Sequence, residues 1–284
     1  MSKFTGLVEM TTVQRNRMLA GCIDYDFEKM VCGADEMKSL GIMDLMIAHG
    51  IREDQWQMNS CTGFGMAHVA SVMFWLATGT WRQFNPHWCY RNAQLIDGIR
   101  GDNGATIDGV TEAAMRDGLL PQDVENDGVK EFPFLKNQYN ATYPASARQL
   151  AAKRKVGYKV HLKTWQAMMN FLISGQGGIV VGGPWGNWSP DASGVCRRFA
   201  AGGGGHCRGR VDIKQINGEW VIVEPNSHFE NYGDRGFGYI TQEFAEAELR
   251  SSQFVAIGVS DLKLAPGDKP TPRKRRFVNF TGKA

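Results

Sequence analysis

Thiol catalysis needs a cysteine with a lowered pKa, an imidazole to exchange its proton, a group that orients that imidazole, and donors for an oxyanion. The sequence has a candidate for each. Cys61 lies in "DQWQMNSCTGFGMAH", where a polar, glycine-bearing stretch turns into an apolar run. At a helix N-terminus, the N–H groups and the positive end of the dipole stabilise a thiolate. Gln55, six residues earlier, offers a side-chain amide to the oxyanion that the Cys61 N–H would face. His206 follows Gly202-Gly-Gly-Gly205, where glycine lets backbone crowd a cleft. Twenty residues on, past Pro225, comes Asn226, whose side-chain oxygen can accept from a ring N–H and fix the tautomer.

Each residue also has a plainer reading. Free cysteine is among the most buried residue types, so Cys61 alone reads equally as a core thiol. His68 lies seven residues further along the same helix, about 10 Å away at 1.5 Å per residue, and reads as packing or surface. His206 with Cys207 and Cys196 makes a poor metal site, because adjacent ligands do not easily close a tetrahedron and no second pair exists. No metal and no cofactor is expected. The glycine run lacks the Lys-Ser/Thr of a phosphate loop, Asp102 lacks calcium-loop spacing, and Trp185-Gly-Asn-Trp188 reads either as a groove lining or as packing.

The elements that must position these residues change texture along the chain. Residues 1 to about 54 carry helical patterning, as in Ala34 to His49; Cys61 to Ala77 is apolar on nearly every side, a buried helix; Ile107 to Asp117 is a further helix, stopped by Gly118. After about residue 155 the chain favours strands: Val156 to Leu162, Gly178 to Gly183, Arg210 to Ile216 and Glu219 to Glu224. The last two are joined by the hairpin signal Asn217-Gly218, which is expected to set His206 beside Asn226. A helical piece, Lys163 to Ser174, interrupts the strands. Helices first and sheet second argue for an α+β protein with two unlike lobes. The 284 residues, 43% hydrophobic and 21% charged, are globular in composition,. Six cysteines without an export signal read as reduced thiols rather than a disulfide scaffold,.

The residues around the candidate nucleophile resemble the Gln and Cys motif of papain-like cysteine peptidases, especially the bacterial and viral branch with Thr after the nucleophile. "GDNGATIDGVTEAAMRDGLLPQ" is similar to that branch's glycine loop and following helix. "GGGGHCRGRVDI" and "EWVIVEPNSHFENYGDRGFGYI" are similar to its His strand and its Asn-Ser-Trp-Gly block. The resemblance covers roughly residues 51 to 245. His206 lies 145 residues after Cys61 and Asn226 lies 165 after it; the first is inside the family's spacing of about 130–150 and the second somewhat beyond it.

The resemblance implies a two-lobed papain-like fold: an N-terminal arm (1–50), a helical lobe (about 51–150) with a buried central helix, a sheet or barrel-like lobe (about 151–265) and a basic tail (266–284). It places Cys61 on the first lobe, His206 and Asn226 on the second, and a peptide or protein substrate between them. Gly104 would pair with substrate backbone, and Asn103 and His228 are further candidate substrate contacts. The arm could instead lie across the cleft as an inhibitory segment.

Three departures from the family bear on activity. Asn59 stands for a Gly, His228 stands for the Trp that shields the His–Asn pair, and Cys207-Arg-Gly-Arg210 stands for an apolar run. A wetter His206–Asn226 bond and an imidazolium disfavoured by two arginines are the expected consequences. Two functions therefore stand side by side: an active thiol peptidase, and an idle papain-like fold serving as a structural or binding protein, as a homo-oligomer or within a virus particle. The net charge of +3 is weighted to Lys269–Arg276, a solvated terminus or a contact for nucleic acid, acidic lipid or an acidic partner. With no signal peptide and no apolar run of about 20 residues, a cytoplasmic or virion location without a membrane span is expected.

Overall fold

The computed structural model describes residues 6–30, 37–50, 54–122, 125–126, 129–130, 132, 140, 142–186, 189–200, 202, 204–228 and 231–268. The basic run Lys269–Arg276 and Trp188 lie outside these described residues. The chain opens with α1 (Thr12–Ala20), a single 3₁₀ turn (Phe27–Lys29) and α2 (Ile42–Ala48), and continues with α3 (Cys61–Thr78), α4 (Pro86–Asp97) and α5 (Ile107–Arg116). Two short strands follow, β1 (Glu125–Asn126) and β2 (Val129–Lys130), then α6 (Ala145–Ala151), β3 (Tyr158–His161), α7 (Trp165–Ile173) and β4 (Gly177–Trp185). The last part is β5 (Val195–Cys196), β6 (Gly204–Arg210), β7 (Asp212–Ile216), β8 (Glu219–Pro225), β9 (Phe237–Ile240), α8 (Gln242–Leu249) and β10 (Val255–Ser260).

α3 is buried on all sides; of its residues only Trp75 is partly exposed. Its length and hydropathy would suit a short membrane span, yet here the apolar surface is covered by protein. Two glycines permit the covering. A Cβ at Gly63 would lie 2.1 Å from the Pro86 carbonyl oxygen of α4, and one at Gly65 would lie 3.0 Å from Cys207 Sγ of β6. α3 is thus wedged between the helical lobe and a sheet. α4 is capped by Asn85 with Pro86 in its first turn, and α5 by Thr106, whose hydroxyl accepts from the Gly109 N–H,.

The sheet lobe contains two four-stranded sheets, ordered β3-β10-β4-β6 and β5-β9-β8-β7. β6 and β7 are nearly continuous, and the chain changes sheet at Val211, whose N–H donates to Val223 O at 3.0 Å. The expected strand from Arg210 to Ile216 is therefore split. Asn217 (φ 51°) and Gly218 (φ 86°) form the two-residue hairpin between β7 and β8,. His206 and Asn226 consequently stand on different sheets and meet across the bend, not along one hairpin. The central strand β10, which pairs with both β3 and β4, comes from a segment whose residue pattern points to no particular element.

The arm is sewn along both lobes. Arg17 Nε donates to Asp108 Oδ2 at 2.9 Å, Ile23 N–H to Lys159 O at 2.8 Å, and Asn170 Nδ2 to Phe27 O at 2.6 Å. The buried Asp212 carboxylate accepts from Ser39 Oγ, Leu40 N and Ile42 N at 2.8–3.0 Å. α2 begins only at Ile42 because Gly41, at φ 73°, turns the chain immediately before it,.

Candidate active site

Cys61 is the first residue of α3 and is fully buried. Its Sγ accepts the Cys207 N–H at 3.4 Å, from the residue that follows His206 on β6. Burial pushes the thiol up to about 11, while the N–H groups of Cys207, Gly6 and Thr62 and the charge of Arg208 pull it the other way. Desolvation wins, so the group is a neutral thiol at pH 7.

His206, also fully buried, places Nε2 3.1 Å from Asn226 Oδ1. An amide oxygen can only accept, so Nε2 carries the hydrogen, and Nδ1 is the nitrogen suited to take a proton. Asn226 is held in turn by its own N–H, which donates to Gly236 O at 3.0 Å. The expected wet bond is not found. His228 stacks on the His206 ring with centroids 4.9 Å apart and planes at 10°, and Trp185 meets the same ring at 4.4 Å and 67°. The indole thus comes from β4 rather than from the Asn-Ser block.

The expected effect of the two arginines is also corrected. Arg208 contacts Glu224 at 3.2 Å and Glu248 at 2.6 Å, while Arg210 contacts Glu224 at 3.0 Å and also Glu248. All four side chains are buried. Two positive and two negative charges form a closed set, and the imidazole does not face bare cations.

Gln55 is buried, but its amide Nε2 donates to Met58 O at 2.7 Å, and its Oε1 accepts from Ser227 Oγ at 2.6 Å. The side-chain amide thus ties the turn before Cys61, through its donated hydrogen, to the residue after Asn226, through its accepting oxygen. Asn59 is locked as well: its N–H donates to Asp102 Oδ1 at 3.0 Å and its Nδ2 to Asp102 O at 2.6 Å. Tyr90 OH donates to the same carboxylate at 2.9 Å. The turn before Cys61 and the glycine-bearing loop at Asp102 are joined by these bonds.

Gly104, expected to pair with substrate backbone, donates its N–H to Tyr90 OH at 3.0 Å. Its neighbour Ala105 does the pairing: the Ala105 N–H donates to Gly6 O at 2.9 Å, and Ala105 O accepts from Val8 N at 2.9 Å. Across the cleft the Leu7 N–H donates to Gly205 O at 3.1 Å. Residues 6–8 therefore lie extended between the two lobes, over Cys61. Beside them is a cavity of about 320 Å³, bounded by Leu7, Val8, Met10, Ile107, Pro184 and Val255 among others. Asn103 is exposed and bonds within its loop, Nδ2 to Arg100 O at 2.6 Å. His228 contacts the catalytic imidazole candidate, and its backbone bridges to Asp54. His68 packs in the core against Phe64.

Ala105, Ser227 and the seat of Trp185 were missed in the sequence. Ser227 sits next to Asn226 and Ala105 next to Gly104, so both lay inside the motifs. Trp185 needed the β4–β6 register, which sets Gly183 opposite His206 and Trp185 opposite Gly204.

No protein-family model matches the sequence, and neither does any curated protein. Solved structures do. Xylellain, a cysteine protease from Xylella fastidiosa, matches with a TM-score of 0.59 at 14% identity, over 93% of this chain and 97% of that one. The Amb a 11 cysteine protease of ragweed pollen, in its proform, matches with a TM-score of 0.60 at 11% identity, over 91% and 76%. Procathepsin B S9 from Trypanosoma congolense matches with a TM-score of 0.55 at 13% identity, over 89% of each chain. At such identities the likeness is one of fold: the chain has the two-lobed papain-like fold.

Proposed function

We propose that this protein is a papain-like thiol peptidase held latent by its own N-terminal segment. The observation that carries the reading is the buried His206–Asn226 pair, with His206 on the strand whose next N–H, that of Cys207, reaches Cys61 Sγ at the start of α3, and with residues 6–8 occupying the backbone-pairing edges of the cleft. In the open form, Cys61 Sγ attacks the peptide carbonyl carbon and its proton passes to His206 Nδ1. Asn226 holds the ring, and the Cys61 N–H with the Gln55 amide receives the oxyanion. His206 then protonates the leaving amine, and water releases the acyl group from sulfur. Two of the similar structures are themselves proforms, which supports the latent reading.

A Cβ on Gly6 would lie 1.6 Å from the Asn59 carbonyl oxygen, so Gly6→Val should evict the arm from the cleft while keeping the full chain. The test is titration with the thiol-peptidase inactivator E64 and mapping of the adduct. Wild type should label slowly and Gly6→Val quickly, one adduct per chain at Cys61, with labelling lost when Cys61→Ser or His206→Ala is added. If Gly6→Val lets added chymotrypsin cut at Leu7 or Met10 yet leaves Cys61 unlabelled, the peptidase reading fails and the idle, binding scaffold stands.

A further inference from the structure

The sequence leaves two motifs outside the reaction: the Arg-Gly-Arg run after His206, and the tryptophan that ends β4. In the fold they belong together. His206, Arg208 and Arg210 alternate along β6 and so share one face of the sheet, and the register puts Gly183 and Trp185 of β4 on that same face,. Trp185 thereby lies diagonally across from His206. Its ring centroid is 4.4 Å from that of His206, and the Arg208 guanidinium lies 5.3 Å from the indole centroid. Tyr232 and His228 complete the wall, with ring centroids 6.3 and 6.0 Å from the indole.

We infer that Trp185 is the positioning residue of His206, clamped in place by Arg208. This rests on the reading of His206 as the catalytic base. The indole does two things there. It fills the space beside the imidazole, so the ring cannot rotate away from Asn226, and it keeps water from the Nε2–Oδ1 bond, which is stronger in a dry surrounding. Trp185 itself is fixed by a cation on its face. That cation cannot drift, because Arg208 contacts both Glu224 and Glu248, and Arg210 contacts the same two carboxylates. The departure from an apolar run after the histidine is thereby explained: the buried ion set anchors the indole that orders the site. Asn226 and His228, from the segment after β8, also face His206, and Cys61 of α3 lies near the backbone of the next residue.

The test uses full-length protein, as Trp185→Ala and Trp185→Phe, with and without Gly6→Val, after circular dichroism has confirmed native folding of each. The first readout is the His206 ring N–H by proton NMR. It should exchange slowly in wild type and Trp185→Phe, and be lost to exchange in Trp185→Ala. The second is the pH profile of E64 inactivation in the Gly6→Val background. Trp185→Ala should slow inactivation by roughly ten- to a hundredfold and bring the alkaline limb to lower pH, because a looser Asn226 bond supports the imidazolium less. Trp185→Phe should stay within about threefold, since a ring still fills the space. An unchanged ring N–H together with an unchanged profile in a folded Trp185→Ala protein overturns the inference while leaving the peptidase reading intact. Absence of any inactivation in Gly6→Val alone overturns the peptidase reading, and the ring N–H still decides what Trp185 does.

Discussion

Three N–H groups and the charge of Arg208 pull the Cys61 thiol down, yet burial pushes it up to about 11, so at neutral pH the closed site holds a weak nucleophile. Alkylation of wild type by iodoacetamide should therefore be slow at pH 7 and climb only as the pH approaches about 11. In Gly6→Val, water reaches the thiol and the inflection should fall by more than one pH unit. The sign for stability follows from the same shift. The folded protein holds this proton more tightly than the unfolded chain does, so the stabilisation is complete below the ordinary thiol value of 9.0 and is lost as pH rises toward about 11,. Thermal midpoints across that window should drop more steeply in wild type than in Gly6→Val. The buried ion set makes a separate prediction. Glu248→Gln leaves two buried guanidinium groups sharing one carboxylate and should cost about 3–5 kcal/mol in urea unfolding. At this scale the meeting of His206 with Asn226, and of Cys61 with the strand that carries His206, was legible from residue type and spacing. The sign of the arginines was not, because Glu224 and Glu248 are 14 and 38 residues from Arg210 and only the folded sheet brings them close.

Single elements were legible where local chemistry decides them. α5 and α7 start at capping threonines, and the turn after β7 has two residues suited to positive φ,. β10 was not legible, since a buried apolar strand of six residues carries no periodicity to separate it from a helix fragment. The start of α2 was misplaced for another reason: besides the Gly41 turn, it is held by a carboxylate 170 residues from Ile42. The Leu40 and Ile42 N–H groups both end on Asp212, and the Ile213 N–H donates to it as well at 2.8 Å. Asp212→Ala should strand those donors and cost about 1–3 kcal/mol, measured by urea unfolding. The loss should be local first, with the Leu40 and Ile42 amides exchanging faster than those of α3. Similar loss of protection across both helices would show that the carboxylate does not serve α2 in particular.

Across the whole molecule the arm is a continuous segment with two kinds of attachment. Residues 6–8 touch both lobes mainly through backbone hydrogen bonds, which any extended peptide can make. Further along, Met18, Phe27, Ile42 and Met46 are buried in the two hydrophobic cores, and Phe27 meets Phe171 edge-on at 5.1 Å. The two-lobed plan was readable from helices preceding strands, but this division of the arm was not, because its apolar residues say that they are buried and not against what. On the proposed latent reading the division separates a releasable tip from a structural strap, and two substitutions should separate them in the laboratory. Phe27→Ala should cost about 3–5 kcal/mol of stability, as removal of a packed aromatic does, while E64 labelling of Cys61 stays as slow as in wild type under native conditions. Gly6→Val should do the reverse, with rapid labelling, a nearly unchanged urea midpoint, and new chymotrypsin cuts confined to Leu7 and Met10, before α1. If Phe27→Ala opened the site as fully as Gly6→Val does, the arm would act as one unit that leaves the cleft by unfolding, and the latent state would be relieved only at the expense of the core.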